Sequence, residues 1–235
     1  MNGGLRAVAL LAALTLAACT LPRRATPPAA NGGPAAGLPL TPLQDLAAVE
    51  RDADRIGQTQ DPAGRRQLLA AAAANARQCL ALAAGDGACH YAQAQVLGLT
   101  ARERPLQADS LLKEMLASLA KAEALDPGLD HAGPARLSAV VLLRAPPWPL
   151  GPGDADAAVT AAQRAVQRDA AYPPNLITLG QAQARADGGP AARATFAKAR
   201  LAIQAWTSTA DTAAQVAADR AHWEQQVEQA LHELQ

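Results

Sequence analysis

The chain has 235 residues, half of them hydrophobic but only 3% aromatic, and its 21 basic residues balance 21 acidic ones to a formal charge of zero. No basic stripe is available to neutralise a phosphate backbone, which argues against nucleic acid as a partner. The apolar content is largely alanine, which buries little area but has the best helix propensity and lets helices approach closely, so an all-α architecture is favoured.

At the N-terminus Arg6 precedes an apolar stretch, Ala7 to Ala17, too short for the roughly 20 residues that span a bilayer, and Leu16-Ala17-Ala18-Cys19 follows. This is the layout of a cleavable export signal over residues 1–18. The tetrad resembles the lipobox of bacterial lipoproteins. The resemblance implies cleavage before Cys19, diacylglycerol on its sulfur, and membrane attachment through acyl chains such as palmitate, each contributing about 0.8 kcal/mol per buried CH₂. In Gram-negative lipoproteins an Asp after the cysteine retains the protein at the inner membrane; here the residue is Thr20, which implies the outer membrane, facing the periplasm. An ordinary Ala-x-Ala cleavage site or an uncleaved anchor are the competing readings, and neither needs a cysteine directly after two alanines. Residues 19–40 are rich in Pro, Ala and Gly, with no apolar periodicity, and read as a tether.

From Thr41 the chain reads as one helical domain, residues 41–235, about 195 residues and enough for a single core. Thr41-Pro42-Leu43-Gln44 is a capping box with proline at the first helical position, and predicts a helix to about Gly57 with Leu43, Leu46, Val49 and Ile56 on one face. Asp61-Pro62 opens the next, to Ala84. Further helices are predicted over 87–99, 105–125, 132–144, 154–168, 173–186 and 189–205, with a last one near 210–234. Asp154 and Asp156 open a helix and are read as caps. No stretch alternates with period two for long enough to make a strand.

Self-comparison converts these helices into an architecture. Gln78 to Asp86 aligns with Lys121 to Leu129 and with Arg164 to Tyr172, and a weaker copy begins at Lys198. Cys79, Ala122, Ala165 and Ala199 are thereby separated by 43, 43 and 34 positions. In the unit from Pro173 to Gln204, Leu179-Gly180 places a large residue before a small one, and Ala192, Phe196 and Ala199 alternate small, bulky and small on the second helix. This unit resembles the tetratricopeptide consensus, whose period is 34. Gln183 stands where the consensus has tyrosine and Gln204 where it has the closing proline. The resemblance implies a tetratricopeptide-like helix-hairpin solenoid, here with extended inter-helix loops and a C-terminal capping helix. Such stacks form concave surfaces that bind proteins or peptides.

Each longer unit exceeds that period by nine residues, the extra lying around Thr100 to Pro105 in the first and over Ala145 to Asp154 in the second. The second loop carries four prolines and Trp148. It is stiff and partly apolar, so Trp148 either plugs the groove of its own domain or lines a ligand or partner site, for which Arg136, Arg144 and Pro147 are the accompanying candidates. His131-Ala132-Gly133-Pro134-Ala135-Arg136-Leu137, followed by Ala145-Pro146-Pro147-Trp148-Pro149 and Gly153-Asp154, is similar to the T-component family associated with TRAP transporters, over about residues 75–205. That resemblance implies an envelope lipoprotein of degenerate tetratricopeptide-like hairpins around a groove or pore, associated with an extracytoplasmic solute-binding protein.

Chemical signatures are few. His90, His131, His222 and His232 are scattered without cysteine or carboxylate at metal-ligand spacing and are read as solvated or core residues. There is no glycine-rich phosphate loop and no Gly-x-Ser-x-Gly elbow, so no catalytic residue, metal or cofactor is expected. Cys79 and Cys89 fit either a disulfide, which an oxidising periplasm permits, or two small buried apolar positions. The reading is an outer-membrane-anchored, periplasm-facing adaptor for an envelope protein or peptide. The alternative is a T-component-like solute handler; a closed cavity lined by Arg136, Arg144 and Trp148 would favour it, and an open concave face the adaptor.

Overall fold

The computed structural model describes residues 41–186, 188–208 and 211–235; the signal segment 1–18, Cys19 and the tether to residue 40 lie outside the described residues. Among those described, nine α-helices follow one another: α1 Pro42–Gln58, α2 Pro62–Leu82, α3 Gly87–Glu103, α4 Ala108–Leu125, α5 Leu129–Arg144, α6 Ala155–Arg168, α7 Pro173–Ala186, α8 Pro190–Ala205 and α9 Ala213–Glu233. None of these helices is long and apolar enough to cross a membrane.

Capping chemistry sets most of the helix starts. The Gln44 amide donates to Thr41 Oγ1 at 3.3 Å while the Thr41 amide donates to Gln44 Oε1 at 2.8 Å, a reciprocal box that opens α1. Asp61 accepts from the Gly64 and Ala63 amides at 2.7 and 3.1 Å ahead of Pro62, and these bonds hold its carboxyl below the ordinary carboxylate range. Asp86 and Asp154 cap α3 and α6 through the Ala88 and Ala157 amides, at 2.8 and 2.9 Å. Thr212 and Gln215 repeat the capping box at α9.

The helices pack as adjacent pairs, α1 with α2, α3 with α4, α5 with α6 and α7 with α8, and α9 lies against α7 and α8. The second helix of each pair touches the first of the next, and α1, α3, α5, α7 and α9 also touch in turn. Fully buried alanines, among them Ala72, Ala76, Ala92, Ala139 and Ala162, let the axes approach closely. Larger side chains gather at the two ends of the chain order. Leu46, Val49 and Ile56 of α1 meet Tyr91 of α3 and Leu119 of α4; Leu176 and Ile177 of α7 meet Phe196 and Ile203 of α8 and Trp223 and Val227 of α9. Between them lies a small cluster of Ala139, Ala161, Ala162 and Leu179.

The sequence repeat has a local counterpart. Cys79, Ala122, Ala165 and Ala199 are all buried, and the carbonyls of the first three accept the amide four residues on at 2.8, 2.8 and 3.0 Å, closing α2, α4 and α6 in the same way. Cys79 is disulfide-bonded to Cys89 at the start of α3, with Cα atoms 5.3 Å apart, so the first two pairs are joined covalently.

Two expectations change. Thr100 does not end α3: its hydroxyl donates to the Val96 carbonyl at 2.7 Å and the helix runs on to Glu103, followed by Arg104 and a single 3₁₀ turn, Pro105–Gln107. The extra residues of the first long unit therefore lengthen helices instead of forming a loop. Leu43, placed on the buried face of α1 by periodicity, is 57% exposed.

Candidate functional site

Only the second insertion is a true loop, and it leaves the C-terminal end of α5. Backbone bonds brace it: the Leu150 amide donates to the Pro147 carbonyl at 3.0 Å, Gly153 to Pro146 at 2.9 Å, and Asp154 to Leu142 at 2.9 Å. Pro147 and Gly153 face each other in an isolated bridge, and the Trp148–Pro149 peptide is cis. Gly151 is required here, because a Cβ on it would sit 2.7 Å from the Pro146 carbonyl oxygen. Trp148 is 85% exposed and Leu150 75% exposed, so Trp148 does not plug a groove of its own domain. Pro147 and Arg144 are exposed at the same end of α5.

Arg136 corrects the set of candidate binding residues. It lies two turns earlier on α5 and is only 5% exposed, inside the protein and away from Trp148. The cause is the start of α5, where Asp130, His131 and Ala132 take left-handed backbone angles, with φ of 49°, 53° and 62°. Each such L-residue costs on the order of 1–2 kcal/mol, so its neighbours must hold it. Pro134 has no amide to donate back toward residue 130, and Arg136 supplies the donors instead: Nη1 reaches the Asp130 and His131 carbonyls at 3.2 and 3.0 Å and Nη2 reaches Asp130 Oδ2 at 2.9 Å. Nη1 also donates to Asn175 Oδ1 at 3.1 Å, and Asn175 Nδ2 donates to the carbonyls of Asp169, His131 and Ala165 at 2.8, 3.0 and 3.3 Å.

The same carboxylate ties in the first core. Tyr91 Oη donates to Asp130 Oδ2 at 2.9 Å, and burial, then the Asp130 charge, pushes the phenol well above its ordinary pKa. Burial opposes the charge on Arg136, but Asp130, Tyr91 and Tyr172 outweigh it and the guanidinium is held more firmly protonated than usual. Its carbon also stands 5.0 Å from the centre of the buried Tyr172 ring. Gly133 is the other residue this knot needs: a Cβ there would meet Tyr91 Oη at 2.5 Å and Asp130 Oδ2 at 2.6 Å.

Outside the knot the left-handed turn shapes a cleft of about 320 Å³, lined by Gly128, Asp130, His131, Ala132, Arg168 and Asp169. His131 turns outward, with 47% of its side chain exposed, and its Nδ1 lies 2.7 Å from Asp169 Oδ2. Its ring stacks on Tyr172 at 4.3 Å, and Trp206 meets both rings edge-on. Among the described residues no three His, Cys, Asp or Glu side chains are placed to hold a metal ion.

Asp130, Asp169, Asn175 and Tyr91 were not distinguishable as a group in the sequence, where they lie up to 84 residues apart (175 − 91). The one local signal was Gly133-Pro134, which follows Asp130 by three residues near the start of α5. No protein-family model and no curated protein matches the chain.

Proposed function

We propose that this chain is a lipid-anchored adaptor of the outer membrane, facing the periplasm, whose tetratricopeptide-like solenoid holds an envelope protein or peptide through the loop at 145–154. Its role is binding, not catalysis. The observation that carries this reading is the exposure of Trp148 and Leu150 on a backbone-braced loop. An aromatic anchor on a backbone braced before binding loses little main-chain freedom when it docks, and large aromatics of this kind are enriched among the residues that dominate interfaces. The succession of touching odd-numbered helices supports the solenoid, and Leu16-Ala17-Ala18-Cys19 supports the anchor.

Crosslinking in the intact envelope followed by mass spectrometry tests it. Trp148→Ala should lower partner recovery by an amount corresponding to about 2 kcal/mol or more of binding, with helix content unchanged in circular dichroism. Equal recovery of the same partners from the variant would overturn the reading. A second reading, a T-component-like solute handler, draws on the cleft beside His131, whose volume falls within the range of small-molecule sites. Arg136 is 5% exposed, with its guanidinium bonded to Asp130, His131 and Asn175, whereas Arg144 and Trp148 are exposed, and this favours the adaptor over a site shared by the three.

A further inference from the structure

From α1 to α8 each helix packs on the next across a connection shorter than either helix, so successive helices run antiparallel and α1, α3, α5 and α7 all point the same way. The helix stack therefore has two ends. The entry end holds the start of α1 and the turns α2–α3, α4–α5 and α6–α7; the far end holds the turns α1–α2, α3–α4 and α7–α8 and the Trp148 loop.

Among the described residues, the exposed large hydrophobic side chains lie at these ends. Leu43 in the first turn of α1, Leu82 and Leu125 at the last residues of α2 and α4, and Leu201 in the last two turns of α8 belong to the entry end. Leu106, Trp148 and Leu150, the most exposed of all at 102%, 85% and 75%, belong to the far end. Exposed leucines scattered singly need no explanation, but gathered on two opposed surfaces they mark sites of contact.

Charge divides along the same line. At the entry end Asp86, Asp126 and Asp169 stand in the three turns and Asp130 opens α5, against Arg168 and His131, while Glu123 is paired with Arg164. At the far end the last turns of α1, α3, α5 and α7 each hold an arginine, Arg55, Arg102, Arg144 and Arg185, and Arg104 follows α3. The carboxylates there are mostly committed within the chain: Glu103 to Arg65, and Asp61 and Asp154 to the amides that open α2 and α6, with Asp156 one turn further on.

We propose that the envelope protein held by the Trp148 loop is a second copy of this chain, docked head to tail. The inference rests on the reading of that loop as a binding surface and names its partner. Leu106, Trp148 and Leu150 of one copy, flanked by arginines, meet Leu82 and Leu125 of the next, flanked by aspartates. Two copies meeting through like ends would set arginine against arginine or aspartate against aspartate, so charge selects the head-to-tail pairing. Because the two ends differ, each contact leaves one of each kind open to a further copy.

The test co-expresses two differently tagged full-length forms, Gln107→Cys at the far end and Pro127→Cys at the entry end, and oxidises them in the intact envelope; Cys79 and Cys89 are already bonded to each other. A crosslink between the two forms, well in excess of either with itself, is expected. Adding Trp148→Ala to the Gln107→Cys form should lower its yield about tenfold or more. Arg104→Glu in the same form should lower it about threefold or more, whereas Arg51→Glu, midway along α1, should leave it within about twofold. Crosslinks mainly within one form, or none at all, overturn the proposal. If none forms while Trp148→Ala still lowers capture of a different envelope protein, the binding role of the loop stands and only its partner is wrong; if Trp148→Ala changes neither, both readings fall.

Discussion

Arg136 shows how one side chain can be essential without being reachable. Its guanidinium meets a carboxylate, two left-handed carbonyls, an amide side chain and an aromatic face, so its removal strands the part-buried Asp130 charge. Arg136→Met should therefore cost roughly 3–5 kcal/mol in chemical denaturation, with part of the loss recovered by adding Asp130→Asn; a loss within surface-mutation range would show that the knot does not hold the turn. Asp61 makes a prediction of opposite character. Its carboxyl is held below the ordinary 3.8 by amide bonds in the folded chain, so its contribution is present above that value and lost as pH falls through the lowered one. Asp61→Asn keeps a capping oxygen but removes the titration, and its acid-unfolding curve should be the flatter of the two below pH 3.8; identical acid sensitivity would contradict the capping role. Asp61 was legible from sequence because capping is decided within three residues. The burial of Arg136 was not, because its partner Asn175 lies 39 residues away.

At the scale of elements, Gly180 of α7 and Phe196 of α8 set the closeness of one helix pair. A Cβ on Gly180 would stand 2.6 Å from the phenylalanine ring, so Gly180→Leu should cost about 1–3 kcal/mol or more through overpacking, whereas Lys198→Ala on the exposed side of α8 should stay within about 0.5. Equal melting temperatures would mean that the pair packs in another register. Arg193 would be a poor control despite its exposure, because its Nη1 donates to the Leu234 carbonyl at 2.9 Å and ties α8 to the end of the chain. Helix existence and most starts followed from proline, caps and small-residue spacing. The stretch at 100–103 did not, since loop and helix there differ by hydrogen bonds such as that of Thr100, which the composition of the segment does not reveal.

Among the described residues two larger apolar clusters flank smaller alanine-rich ones and the polar knot, with Tyr91 reaching from the first toward Asp130 and Tyr172 from the second toward Arg136. The proposed attachment at Cys19 precedes α1 in the chain, and Cys19→Ser should move the protein from the membrane pellet to the soluble periplasmic fraction and abolish palmitate labelling. Retention of the variant in the pellet would reject the anchor. The bond between Cys79 and Cys89 then acquires a meaning beyond stability. The exposed residues Ala84 and Gly85 form the turn between the helix pair nearest the proposed anchor and the rest of the chain, and exposed turns of small residues are where proteases nick. They lie inside the ring that the disulfide closes. With the anchor as proposed, cleavage at that seam would not free the helices that follow from the membrane: the two fragments would remain one molecule until a reductant also opened the bridge, so release would require two separate chemical events.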